Sequence, residues 1–144
     1  MNKIFCWGII GTGGIANAFT RDLEYVDNHK ISAVLSRYEQ TANQFLSNNN
    51  LSDCKVYTDI SLFMQDPDID AVYIATPNTF HCEQAITALK SKKPVLCEKP
   101  VAIDTEETLS IIQSSKQSRK RPEKRKNVPP AKKTFGFQRL MVRR

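Results

Sequence analysis

The chain has 144 residues, 40% of them hydrophobic and 25% charged, which describes one ordinary domain able to hide roughly 70% of its unfolded surface. No apolar run approaches the roughly 20 residues that a membrane helix needs, and the opening MNKIFCWGII lacks the basic start and small-residue cleavage site of a secretory signal. The net charge of +6 is uneven: residues 1–115 carry 9 Lys and Arg against 14 Asp and Glu, whereas residues 116–144 carry 12 against 1, so two segments with different rules are joined.

The four cysteines, Cys6, Cys54, Cys82 and Cys97, form no C-x-x-C pair and no zinc spacing. Two of them sit in apolar runs, where a free thiol behaves as a small hydrophobe. This implies no metal site and fits a reducing cytoplasm.

In chain order, residues 4–10, IFCWGII, form a continuous apolar run, the pattern of a strand covered on both faces in a parallel sheet. A glycine-rich turn follows, then a helix from Ile15 to about Tyr25. Residues 31–36 predict a second strand. Residues 39–48 predict a polar-faced helix that ends at the run of three asparagines. Val56 and Tyr57 mark a short third strand, and Thr58 or Asp59 can cap the helix ISLFMQ, which Asp66-Pro67-Asp68 ends. Residues 70–75 predict a fourth strand, Asn78 can cap a helix running to about Ser91, residues 94–97 predict a fifth strand, and Asp104 or Thr105 caps a last helix to about Ser115. Strands alternating with helices mean βαβ units, hence an α/β fold: a Rossmann-like doubly wound parallel sheet ordered 3-2-1-4-5.

Gly11, Gly13 and Ala16 make G-x-G-x-x-A between the first strand and the first helix, with Thr12, Gly14 and Ile15 filling the spacing. Each position has a mechanical reason. The first glycine allows the tight turn, the second lets a pyrophosphate approach the backbone, and a small third residue lets helix and strand pack closely. The helix N-terminus then offers N–H groups and a partial positive charge to the phosphates. About 20 residues on, an acidic residue would bind a ribose 2′-hydroxyl and select NAD. Ser36 and Arg37 stand there instead. They favour NADP, because serine can hydrogen-bond a 2′-phosphate and arginine can pair with it and stack on the adenine; NAD is the alternative.

Two further stretches, DAVYIATPNTFH at 70–81 and PVLCEKPVA at 94–102, together with GTGGIA, resemble the glucose–fructose oxidoreductase / inositol dehydrogenase (Gfo/Idh/MocA) family of NAD(P)-dependent sugar and diol dehydrogenases. The wording is most similar to the dimeric dihydrodiol dehydrogenase-like branch. The resemblance spans about residues 3–115 and implies roles position by position. Gly11, Gly13 and Ala16 match the pyrophosphate turn, and Ser36 and Arg37 the adenosine-ribose site. Thr76, Pro77 and Asn78 match the loop along the cofactor near the nicotinamide ribose, and His81 a recurrent histidine in the next helix. Glu98 and Lys99 match the pair beside the nicotinamide, where the lysine contacts the ribose and the reacting hydroxyl. A lysine so placed can stabilise a developing alkoxide and pass a proton, which makes Lys99 the candidate catalytic residue. Other readings stand beside these: Lys99 as a solvated turn lysine, His81 as a structural first-turn residue, and Asn78 as a helix cap.

Family members continue into a sixth strand and a second domain that supplies the substrate pocket and the dimer face. From Lys116 this pattern fails, and a basic, proline-containing tail (116–144) with no apolar periodicity is expected to lack order. A reading-frame break or truncated gene near residues 116–120 is the expectation, with the 1–115 segment binding NADP or NAD and turning over no sugar, polyol or diol by itself. Two alternatives are a cofactor-binding remnant and nucleic-acid binding through SRKRPEKRK. Without a sixth strand the fifth becomes an edge open to self-pairing; the terminal run TFGFQRLMV, Thr134–Val142, is a strand candidate that could cover it.

Overall fold

A computed structural model describes residues 3–119 and 140–142. Five parallel strands run in the order β3-β2-β1-β4-β5: β1 (Phe5–Ile10), β2 (His29–Leu35), β3 (Lys55–Tyr57), β4 (Ala71–Ile74) and β5 (Val95–Cys97). Helices α1 (Gly14–Leu23), α2 (Glu39–Asn48), α3 (Ile60–Gln65), α4 (His81–Lys90) and α5 (Thr105–Ser118) complete the alternation. The sheet order expected from the sequence is therefore the one observed.

The apolar runs form central strands because both of their faces are covered. Ile9, Val34 and Tyr73 pack with Ala16, Phe19 and Leu23 of α1 and with Ala42 and Phe45 of α2. Ile10, Leu35, Val72, Ile74 and Cys97 pack on the other face with Phe63, Ala85, Leu89 and Ile111. Helix α1 buries Ala16, Phe19, Thr20 and Leu23, a spacing of three, one and three that forms one stripe. Gly8 lies in the middle of β1, where a side chain has no room: a Cβ there would come within 2.6 Å of the Phe63 ring.

The structure departs from expectation at two places. Asn78 does not cap the helix that follows it; Asn78–Phe80 is a 3₁₀ turn, and α4 begins at His81 without a side-chain cap. The last helix crosses the boundary expected at residue 115 and ends at Ser118, whose hydroxyl donates to the Leu89 carbonyl at 2.7 Å and ties α5 to α4. Within the run 134–142, the strand candidate for the exposed edge, Leu140–Val142 form a strand, β6, antiparallel to β5, so the sheet has six strands. Residues 120–139, which hold most of the basic stretch, lie outside the described residues.

One buried carboxylate organises the entry to β4. Asp66 is 4% exposed. It accepts from Lys55 Nζ at 3.1 Å, from the Tyr57 hydroxyl at 2.8 Å and from the Asp68 amide at 2.9 Å. Its own carbonyl and that of Ile69 accept from the buried Lys93 ammonium at 2.8 and 2.9 Å. Burial pushes the Asp66 carboxyl up, but the hydrogen bonds from Asp68, Tyr57 and Lys55 outweigh it and leave the group below the ordinary carboxylate range. A carboxyl so depressed contributes stability above its unfolded value, and that contribution is lost as pH falls through the folded value. Asp66→Asn is expected to cost about 1.5–3 kcal/mol at neutral pH, the worth of hydrogen bonds to a charged group. The cost should shrink in acid, as read from urea unfolding across pH 3–7; a cost that does not change with pH would contradict this account.

Candidate functional site

The site begins where β1 ends. Gly11 has φ of +99°, a left-handed conformation that disfavours any side chain. A Cβ there would also lie 2.8 Å from the Ala75 carbonyl oxygen. The turn is thus pressed against the end of β4, with the Gly11 amide donating to Leu35 of β2 at 3.0 Å. Gly13 and Gly14 differ in kind: an added Cβ meets nothing within 4 Å. Open space over these two glycines is what a bound phosphate group needs. Ala16 is wholly buried against the sheet, as the small third residue of the motif requires. No side chain caps α1 and no acidic residue lies in its first turn, so the helix amides face outward without a competing anion. Asn17 braces the turn from behind, donating to the Gly13 carbonyl at 2.9 Å and accepting from Asn49 at 2.7 Å.

From this turn a cleft of about 480 Å³ runs along the C-terminal edge of the sheet. Gly11, Thr12, Ser36, Arg37, Thr76 and Pro77, all singled out from the sequence, line it together. Arg37 is exposed and makes no hydrogen bond or ion pair among the described residues. The cleft also contains residues that sequence reasoning missed, among them Tyr38, Thr58, Ile60, Phe80 and Gln84. Tyr38 and Phe80 are 62% and 41% exposed, so their rings are available to a flat ligand. Gln84 accepts from the Thr76 hydroxyl at 2.6 Å and fixes that loop.

The remaining candidates sit elsewhere. The His81 ring is 1% exposed, with Nδ1 2.7 Å from the Pro100 carbonyl and Nε2 2.8 Å from the Thr76 carbonyl. Its nitrogens are spent on backbone, so it ties the loop after β4 to the loop after β5 and presents no nitrogen to a ligand. This is the arrangement of a structural first-turn histidine, the other reading of His81. Glu98 is also buried and accepts from the hydroxyl of Tyr73, whose ring stacks on Phe19 of α1 with centroids 3.9 Å apart. Lys99 is exposed, one residue beyond that anchored carboxylate. Cys97 lies beside it but is no nucleophile: burial, reinforced by the Glu98 charge, pushes its thiol up to about 12. Gly11→Ala is expected to lower stability by about 1–3 kcal/mol through backbone strain and the clash with Ala75. Gly13→Ala should leave the melting temperature unchanged. Equal losses in the two variants would contradict the division between them.

Residues 5–122 match the oxidoreductase family with an NAD-binding Rossmann fold, GFO/IDH/MocA. A scyllo-inositol 2-dehydrogenase (NADP(+)) of Bacillus subtilis is 36% identical over 110 residues, which is 76% of this chain and 33% of that protein. A trans-1,2-dihydrobenzene-1,2-diol dehydrogenase of Danio rerio is 31% identical over 114 residues, 78% of this chain and 34% of that protein. The crystal structure of myo-inositol dehydrogenase from Lactobacillus casei in complex with NAD(H) and myo-inositol superposes with a TM-score of 0.74 at 30% identity, over 79% of this chain and 34% of that one. The chain thus spans about a third of the length of these relatives. It belongs to the GFO/IDH/MocA oxidoreductase family, whose NAD-binding Rossmann domain it forms.

Proposed function

We propose that the chain binds NADP in preference to NAD across the C-terminal edge of its sheet, as part of an oxidoreductase acting on a hydroxyl of a sugar, polyol or diol. The observation that carries this reading is the continuity of one cleft from Gly11 and Thr12 of the glycine turn to Arg37, with open space over the adjoining Gly13 and Gly14 at the uncapped start of α1. Gly11, Thr12, Gly13, Gly14 and Ile15 would hold the pyrophosphate, with Ala16 keeping the helix close. Ser36 and Arg37 would take the adenosine ribose and its 2′-phosphate, and Thr76, Pro77 and Asn78 the path toward the nicotinamide ribose.

When bound, the nicotinamide supplies the carbon that accepts or gives a hydride. The protein's contribution is orientation and proton handling. Lys99 would hold the substrate hydroxyl oxygen and carry its proton as the alkoxide develops. Glu98, anchored by Tyr73, and His81, anchored on two loops, would keep the lysine's backbone in place. Four free cysteines among the described residues support a reducing, cytoplasmic setting.

Positioning a substrate carbon over a nicotinamide contributes roughly 7–11 kcal/mol of barrier lowering, and Lys99 alone does not supply it. The 144-residue chain is therefore expected to bind cofactor without turning over inositols, xylose or dihydrodiols. Nicotinamide fluorescence titration should give tighter binding of NADPH than NADH, by roughly 1.5–3 kcal/mol for charge-assisted bonds from Arg37. Arg37→Ala should erase most of that preference. Equal affinities in the unaltered chain would overturn the NADP assignment, and turnover abolished by Lys99→Ala would overturn the expectation of inactivity.

A further inference from the structure

At the end of the cleft beside Arg37 the hydroxyls form a chain that can run in either direction. The Thr41 hydroxyl donates to the Tyr38 carbonyl at 2.8 Å, which uses its single hydrogen. Ser36 Oγ lies 2.6 Å from Thr41 Oγ1. While the Thr41 hydrogen lies on Tyr38, Thr41 has none left to give and Ser36 is the donor in that contact; when Thr41 donates to Ser36 instead, the chain runs the other way. In the first arrangement Ser36 turns its hydrogen away from the cleft and shows only lone pairs to whatever occupies it.

The orientation matters because the two dinucleotides differ in hydrogen-bond character at this position. A ribose 2′-hydroxyl can donate to Ser36, and the chain then runs unbroken from ribose to Ser36 to Thr41 to Tyr38. A 2′-phosphate only accepts. To serve it, Ser36 must turn its hydrogen outward and Thr41 must release Tyr38 and donate to Ser36. The reversal gives up the Thr41–Tyr38 hydrogen bond, although the Tyr38 carbonyl keeps a second donor, the Ala42 amide at 3.2 Å.

Resting on the cofactor reading above, we propose that Thr41 is a specificity-determining residue. Through a reversible hydroxyl relay with Ser36 it lets one site accept either a 2′-hydroxyl or a 2′-phosphate, and it moderates the preference for phosphate that Arg37 creates. Thr41 is not among the residues lining the cleft; it acts through Ser36. Its side chain is exposed on the first turn of α2, so replacing it leaves the core alone.

The test is titration of the full 144-residue chain with NADH and NADPH, followed by nicotinamide fluorescence and by quenching of the single tryptophan, Trp7. Thr41→Val removes the relay and frees Ser36 to face the phosphate. The ratio of NADPH to NADH affinity is expected to rise about fivefold, the size of one neutral hydrogen bond. Thr41→Ser keeps the hydroxyl and should keep the original ratio. A general structural role would weaken both cofactors alike, so an unchanged ratio in Thr41→Val overturns the relay while leaving the cofactor site standing. A ratio that shifts equally in Thr41→Ser overturns it as well. If the unaltered chain binds neither dinucleotide, the cofactor reading and the relay fall together.

Discussion

The approach of β1 to β4 sets the rest of the site. At Gly11 the chain runs so close to the Ala75 carbonyl that no side chain fits, and it can leave β1 only through a left-handed turn. That turn aims the start of α1 across the sheet edge, which puts the open backbone of Gly13 and Gly14 beside the strand ends. Ala16 then lies flat on the sheet. Ser36 and Thr76, at the ends of the two strands that flank β1, fall on either side of the turn because β2 and β4 are its direct neighbours. An anion site and its two side walls thus follow from one steric constraint and the strand order.

A second tier of contacts holds the walls. Asn17 and Asn49 join the start of α1 to the end of α2. Tyr73 reaches from the central strand to Glu98 while stacking on Phe19, so α1 and the end of β5 share one support. His81 links the loops after β4 and β5 through backbone oxygens. None of these side chains is exposed in the cleft, yet each fixes the position of a residue in it or next to it.

The sequence made some of this legible and hid the rest for physical reasons. Apolar runs such as residues 4–10 and 70–75 announce strands covered on both faces, and G-x-G-x-x-A announces the turn, because both depend on local chemistry. The sequence puts His81 in the first turn of a helix, but which way its ring points depends on the Pro100 and Thr76 carbonyls, which come together only in the folded chain. Tyr38, Phe80 and Gln84 carry no motif; they join the cleft because the loops that hold them converge. Asn78 looks like a cap by residue type, but the chain makes a 3₁₀ turn there. The run 134–142 was legible as a strand candidate for the β5 edge, but its register was not, since an edge accepts a strand through backbone groups that every residue carries.

Strand β6 meets β5 over only three residues, at the edge of a sheet whose other strands all run parallel. So short a ladder gains little to set against the entropy of bringing distant parts of the chain together. It will be the first part of the sheet to open, in a sub-global fluctuation that leaves β1, β2 and β4 intact. Amide protons of β5 should consequently exchange with solvent well ahead of those in the central strands. During each opening the β5 edge offers its backbone to any other strand nearby, so colloidal behaviour at high protein concentration will track the lifetime of this one small pairing rather than the stability of the core.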